Sequence, residues 1–530
     1  MYLAGCPTRF TFLIHQKAKV KKMVHCRRRR NLLATATAVM ALAQIPSPAV
    51  GRGVTVVRSA IQGAQNHFPA GLFRWYQGKE CGKEVDYCGV IDFCTDGLNY
   101  GYANYGEQCQ PFNGPTIRLA PGNKYKLTLR NTLPQGNKNN TSNLHTHGLH
   151  IVGSGDGDDV TREVQAGECM DYIWDIGRDH PGGTHWYHAH MHGLAEKQVG
   201  GGAFGMIIVE DNPRINPDVP MWAKYERVLQ IFSQLGDGNL IVNGVRGPTP
   251  NYIQVEGDRW FRLRVSAIDW IGDTGDFEIT GCQYAKIASD GIWSSVVPMP
   301  QERSYSIGAA SRADFAVRCP SASKRWPGVV RFNDKVVAVF QLTQAVSQPY
   351  ALQIWEPSLP PSLQGIKEAF VPPQNTYDIT MTLNTINGRS WDPLVPLHII
   401  QYDEVHEWTI HGSDKHPFHK HLYHMLVVSP GGCGQHKEGE FYDTIAGADS
   451  EGSCRVRFRA ADFGQRELLH CHSLPHSDFG AMAWVNVVGT NMPRNDNVSP
   501  ARQCMEGYTT TKQQGGGGNN NNGGKRFGAP

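Results

Sequence analysis

The stretch His470-Cys471-His472 sets two histidines on either side of a cysteine. Alternate residues of a β-strand face the same way, so the two imidazoles share one site and the thiol points away from it. Three more pairs repeat the device: His145-Thr146-His147, His188-Ala189-His190 and His419-Lys420-His421. With 22 histidines in 530 residues, chance supplies roughly one such pair. Four is a built arrangement.

Around these pairs one strand pattern occurs three times. Residues 115–131 contain a Pro-Gly turn and then Tyr125, Leu127 and Leu129 in alternation. Residues 253–265 contain Gly257-Asp258 and then Phe261, Leu263 and Val265, and residues 401–411 end in Trp408 and Ile410. Each reads as a half-buried strand after a turn. Apolar strands at 204–209, 315–317 and 483–488 close the same units, and proline-rich joints separate them at 213–220 and 357–373. Long helical periodicity is scarce. The expectation is an all-β chain of three antiparallel sandwiches in a row, at 65–212, 213–356 and 374–492, and 530 residues leave room for three such cores. The tail 505–530 is Gly/Asn-rich and is expected to be disordered.

The formal net charge is +3, and much of the basic excess precedes position 50, so the mature chain is near neutral or acidic and nothing points to nucleic acid. Lys21, Lys22 and the four arginines at 27–30 precede an apolar stretch at 32–43 and then Pro46 and Pro48. That is the grammar of a secretory signal, with Ala41-Leu42-Ala43 as a cleavage site and Met23 as an alternative start, so residues 1–43 are read as removed on export. About 12 apolar residues are too few for a membrane span, which needs about 20. Setting aside Cys6 and Cys26, which fall in the signal, and Cys471, ten cysteines remain: Cys81, Cys88, Cys94, Cys109, Cys169, Cys282, Cys319, Cys433, Cys454 and Cys504. An even set in an exported chain reads as disulfides of unspecified pairing. Asn139, Asn140 and Asn497 open acceptor motifs for N-glycosylation.

No histidine lies between His192 and His398, so the middle unit carries no imidazole and the paired ones belong to the first and third. A shared site therefore requires those two units to meet. Neutral imidazole and thiolate suit copper, and a trigonal His, Cys, His centre is a blue-copper arrangement. Zinc is the rival, but a structural zinc site closes with four ligands, whereas eight paired histidines stand here beside one cysteine.

Taken together, His145-Thr146-His147-Gly148, Trp186-Tyr187-His188-Ala189-His190, His416-Pro417-Phe418-His419-Lys420-His421 and His470-Cys471-His472 with His476 resemble the four copper-binding segments of the multicopper oxidases, the family of laccases, ascorbate oxidases, ferroxidases and bilirubin oxidases. The segments stand in the family's order across all three units. The resemblance implies cupredoxin-like Greek-key sandwiches and about four coppers per chain. It assigns His416, Cys471 and His476 to a type 1 copper, His145 and His419 to a type 2 copper, and His147, His188, His190, His421, His470 and His472 to a type 3 pair. Electrons would enter at type 1 and pass to dioxygen at the trinuclear cluster, and the metals would carry the hard chemistry.

Other residues have plainer readings. His150, His180, His185, His192, His411 and His424 lie off the matched positions and are read as supporting or surface groups, His192 being the closest to a ligand pair. Asp158 and Asp159 follow the first motif where this family often has an acid that helps protonate reduced oxygen; the alternative is a solvated acidic loop. Residues 153–159 resemble a calcium loop weakly but lack the spaced acceptors and terminal Glu. Five residues beyond His476, where the family usually has Met, Leu or Phe, stands Ala481, with Met482 one further. A one-residue slip turns a side chain to the other face, so the axial position is expected to be empty unless a bulge brings Met482 in.

Two functions are open. One is a secreted, laccase-like oxidase that takes single electrons from phenols, aromatic amines or metal ions and reduces dioxygen to water. The other is a non-catalytic secreted matrix protein on the same fold. The complete ligand set favours the oxidase, whose partners would be dioxygen and a small donor, with no membrane span and a monomeric chain. Copper nitrite reductase resembles the sequence less, since it lacks the paired ligands of a trinuclear cluster. Donor loops vary most. No Met-rich insert points to copper efflux, and ferroxidase, ascorbate and bilirubin specificities remain open.

Overall fold

The computed structural model describes residues 55–56 and 71–504, apart from 234–237, 296–299, 301–303, 322–327, 347–351, 354, 414–415, 430, 448–451 and 494–495. The secretory segment and the Gly/Asn-rich tail expected from the sequence lie outside the described residues.

The chain is all-β, built from three face-to-face pairs of sheets. In the first, the alternation of Asn123–Asn131 turns Tyr125, Leu127 and Leu129 into a core with Phe93, Tyr172 and Trp174. In the second, Phe261, Leu263 and Val265 of Trp260–Asp269 do the same with Phe277, Phe315 and Phe340. In the third, Trp408 and Ile410 of Val405–His411 pack with Phe418, Val456 and Phe458. The turn before each of these strands holds a residue in the left-handed region, Gly122 at φ 84°, Asp258 at 61° and Asp403 at 61°, conformations that Gly and Asp tolerate best.

The sheets are not purely antiparallel. Each contains one parallel pair, and the same two pairs recur in every unit. Tyr87–Thr95 runs parallel to Asn123–Asn131, Glu226–Ser233 to Trp260–Asp269, and Thr376–Thr380 to Val405–His411. On the opposing sheets, Gly114–Leu119 pairs with Phe204–Val209, Asn251–Gly257 with Lys335–Ala345, and His398–Gln401 with Met482–Val488. The parallel pairs arise because the chain crosses to the opposing sheet and back between the two partners. The middle unit also closes later than its sequence pattern suggests. The strand at 315–317 is the interior Arg312–Arg318, flanked by Trp260–Asp269 and Gln283–Ser289, and the closing role falls to Lys335–Ala345.

All ten remaining cysteines pair, as Cys81–Cys88, Cys94–Cys109, Cys169–Cys504, Cys282–Cys319 and Cys433–Cys454, leaving Cys471 as the free one among the described residues. The Cys169–Cys504 bridge, with Arg502–Gln503 added antiparallel to Glu168–Ile176, ties the end of the described chain back to the first sandwich. No helix among the described residues is long and apolar enough to cross a membrane.

Trp174 is fully buried and packs edge-on to Trp75 with ring centroids 6.4 Å apart. Trp174→Ala is expected to cost about 3–5 kcal/mol, the usual range for emptying a core aromatic. A lower guanidinium midpoint at unchanged slope, followed by circular dichroism, checks this; a midpoint equal to wild type would show that the site is not a packed core.

Candidate metal centres at the meeting of the first and third sandwiches

Strand pairing alone assembles each half of the histidine cluster. His145–His147 runs antiparallel to Gly183–His188 with His145 opposite His188, and Phe418–Lys420 runs antiparallel to Gln465–Cys471 with His419 opposite His470. The two halves then stack on each other: the ring of His145 lies 3.9 Å from that of His421, and His147 lies 3.7 Å from His419. His190 and His470 face each other through Nε2 atoms 3.1 Å apart, and His472 sits 5.1 Å from the ring of His147. All eight imidazoles of the four pairs are buried at one place. Three triads, His145/His147/His188, His145/His419/His421 and His190/His421/His470, keep their ligand atoms within 4.8 Å of one another.

The donor atoms fit metal ions. Nε2 of His145, His188, His419 and His421, Nδ1 of His147 and both nitrogens of His472 are buried without a hydrogen-bond partner, a costly state for a protein that offers them nothing else. Several of the other ring nitrogens are held. His188 Nδ1 is 3.0 Å from the Ala189 carbonyl, His470 Nδ1 2.9 Å from that of Cys471, and His419 Nδ1 2.9 Å from that of Asp443. Such contacts orient the ring and leave one nitrogen for the metal. Burial first, and then the neighbouring imidazoles, hold His145, His421 and His472 far below the ordinary histidine range, and His188 falls to about 3. Two imidazolium charges about 5 Å apart repel by about 3 kcal/mol at an effective dielectric of about 20. The cluster is therefore neutral, the form that binds metal.

Cys471 leaves this cluster by strand alternation. Its Sγ lies 3.6 Å from Nδ1 of His416 and 3.6 Å from Nδ1 of His476, and those two nitrogens are 3.1 Å apart. The thiol is buried whereas both imidazoles are half-buried, so this second site reaches the surface through its histidines. His476 rides on the short helix Leu474–Asp478. Asp478 anchors that helix to the first sandwich by accepting from the N–H groups of Gly193 at 2.9 Å and Glu196 at 2.8 Å. Met482 stands opposite His470 in the sheet; paired residues share a face, so its thioether points away from Cys471 and packs with Leu468 and Trp484. Ala481, fully buried in the same core as Cys471, brings no axial donor.

The two aspartates separate clearly. Asp158 is buried, with Oδ2 2.6 Å from His145 Nδ1 and Oδ1 accepting the Thr146 N–H at 2.7 Å. Burial pushes its carboxyl up to about 8. Asp159 instead accepts from the N–H and hydroxyl of Thr161 at 3.1 and 2.6 Å and shapes its own turn. The surrounding loop is not a solvated acidic one. Asp156 accepts from the N–H and hydroxyl of Ser499 at 2.7 and 2.8 Å and so docks the C-terminal segment.

The remaining histidines take other places. His150 bridges to the third sandwich, through the Leu422 carbonyl at 2.9 Å and Asp462 at 2.8 Å, and its backbone N–H donates to Nε2 of His180 at 3.1 Å. His411 meets Asp378 at 3.0 Å near the surface. His185 packs where a Cβ on Gly291 would strike its ring at 2.4 Å, and His192 lies 6.1 Å from the Trp391 ring.

Sequence reasoning missed a buried ionic group on the far side of the cluster. Asp443 Oδ1 lies 3.2 Å from His147 Nε2, and Arg312, from the middle sandwich, donates to the same oxygen at 2.8 Å and also contacts Oδ2. Asp290 accepts the Arg312 N–H at 2.8 Å and the Asp443 N–H at 3.2 Å, while His424 Nε2 is 2.7 Å from the Asp290 carbonyl. Burial opposes the charge on Asp443, yet the Arg312 guanidinium holds its carboxyl low; burial and then Asp443 push Asp290 up. The middle unit thus supplies the cluster's buried cation though it has no histidine. The available signal was charge at alternate positions of apolar strands, as in Arg312 and Asp314 or Arg262 and Arg264.

Residues 109–214 and 358–490 match two family models, each described as multicopper oxidase. The multicopper oxidase mco of Staphylococcus haemolyticus is 23% identical over 397 residues, covering 71% of this chain and 82% of the relative. Among solved structures, a laccase from Pediococcus acidilactici superposes with a TM-score of 0.62 at 20% identity, covering 76% of this chain and 90% of that one. A multicopper oxidase from Campylobacter jejuni, described as a metallo-oxidase, gives 0.59 at 18% identity over 83% and 98%. The chain belongs to the multicopper oxidase family, copper oxidoreductases with cupredoxin-like domains that use dioxygen.

Proposed function

We propose that this protein is a secreted, laccase-like oxidase that takes single electrons from phenolic or aromatic donors at a type 1 copper and reduces dioxygen to water at a trinuclear cluster. The observation that carries the reading is the pairing of two sites through one residue. Cys471 belongs to the half-exposed His416/His476 site, while its two chain neighbours, His470 and His472, belong to the buried imidazole cluster. His416, Cys471 and His476 would hold type 1 copper, His145 and His419 type 2, and His147, His188, His190, His421, His470 and His472 the type 3 pair.

Copper, when bound, supplies the one-electron redox steps and the reaction with dioxygen. The chain's residues do the rest. The half-buried edges of His416 and His476 face the donor, and Phe479, which caps the short helix carrying His476 and is 73% exposed, offers an aromatic surface, which supports aromatic donors over ions. The main chain of residues 470–472 is the short covalent path between the sites. Burial of the eight imidazoles excludes bulk water, and Asp158, against His145, holds a proton at Oδ2. Five disulfides in the described chain support an oxidising, extracellular location, and the exposed Asn139 and Asn497 are open to glycosylation.

Elemental analysis of the purified chain is expected to give about four coppers, with intense blue absorption from thiolate-to-copper charge transfer. Zinc as the main metal would overturn the assignment. Steady-state rates on phenols, ascorbate, bilirubin and ferrous iron then test the donor: phenols fastest supports laccase-like activity, ferrous iron fastest a ferroxidase, and no turnover of any donor by copper-loaded protein a non-catalytic matrix protein.

A further inference from the structure

Lys420 stands between His419 and His421, so strand alternation turns it out of the imidazole cluster and into the core of the third sandwich. There it is completely buried, with Nζ 3.7 Å from the ring centroid of Phe458, 4.8 Å from that of Tyr423 and 5.1 Å from that of Trp408. Glu467, equally buried, lies on the adjacent antiparallel strand. Lys420 pairs with Leu469, which puts Glu467 two residues along on the same face, within diagonal reach. Nζ of Lys420 is in direct contact with Oε1 of Glu467. Beyond that contact, neither the amine nor either carboxylate oxygen has a hydrogen-bond partner among the described residues.

A buried ion pair persists when further hydrogen bonds satisfy its remaining protons and lone pairs. This pair has aromatic rings instead. The rings can face an ammonium, but they offer nothing to the carboxylate oxygens, whose hydration is lost without replacement. An amide carries no net charge and escapes that cost.

We propose that Lys420 and Glu467 condense into an intramolecular isopeptide bond. Nζ bonds to Cδ of Glu467, one Cδ–Oε bond breaks, and the departing oxygen leaves with two ammonium hydrogens as water; the third hydrogen stays on the amide nitrogen. No oxidant or cofactor is consumed. The apolar wall of Trp408, Tyr423 and Phe458 keeps out the water that would drive hydrolysis. The bond staples the strand that carries His419 to the strand that carries His470 and Cys471, a role separate from any metal.

The test is peptide mass analysis of the full chain, denatured, reduced and digested. Wild type is expected to yield a branched peptide containing positions 420 and 467, lighter by one water, about 18 Da, than its two linear parts. Lys420→Met and the double replacement Lys420→Met with Glu467→Leu should yield linear peptides only. Linear wild-type peptides at full mass, with Lys420 open to an amine-directed label after denaturation, would overturn the proposal and leave a buried ion pair. The wild-type result decides even if a variant does not fold, and it is read independently of copper content.

Discussion

Cys471→Ser is expected to abolish both the blue absorption and donor oxidation while copper still binds at the imidazole cluster. The replacement is nearly isosteric at a fully buried position, so the sandwich should survive it. The thiolate is the soft ligand that gives the centre its colour and its electron-transfer character, and a hydroxyl provides neither. The geometry predicts the division of effects, because Sγ faces His416 and His476 and not the imidazole cluster, whereas the eight cluster imidazoles keep their places through strand pairing and their own contacts. Copper content should fall by about one per chain, and turnover should fall below detection. Retained turnover in the colourless variant would mean that electrons enter elsewhere.

Asp158→Asn is expected to slow dioxygen reduction by about 10²- to 10⁴-fold, the usual worth of a positioned acid or base. An amide can still accept the Thr146 N–H that Oδ1 now accepts, but it carries no transferable proton at the position 2.6 Å from His145. The blue centre, and its reduction by donor in the absence of oxygen, should stay normal, since that step draws on His416, Cys471 and His476. Asp159→Asn is expected to behave like wild type apart from a small loss of stability, because its carboxylate only caps the Thr161 turn. Reoxidation at the wild-type rate in Asp158→Asn, followed by stopped-flow absorbance, would remove this residue from the proton path.

Period-two alternation located the core-facing Tyr125, Leu127 and Leu129, and Phe261, Leu263 and Val265, because a sheet face against a core must be apolar. The same logic failed for their neighbours. A half-buried strand would turn Arg262 and Arg264 to solvent, yet both are buried, where Arg262 meets Asp211 and Asp314 and Arg264 meets Glu226 and Thr184. The outer face of that strand is covered by the first sandwich. Alternation says which residues share a face, and is silent on what lies against it.

The imidazole pairs show the same division. That His470 and His472 share a face and Cys471 opposes them is local geometry, determined by the two-residue repeat of a strand and so legible in sequence. Cross-strand register, such as His145 opposite His188, depends on which strands become neighbours. The stacking of His145 on His421 and of His147 on His419 depends further on how two sandwiches dock. Asp443 meets Arg312 and Asp290 across separations of 131 and 153 residues, with no motif to mark them. What the sequence by itself determined was the set of donor atoms and the side of its strand on which each stands, because those follow from covalent order and backbone period. Only the tertiary structure decided that Asp158 rather than Asp159 meets the cluster, that Met482 turns from Cys471, and that a cation from the histidine-free unit closes the site, because distance in space between remote segments is set by packing.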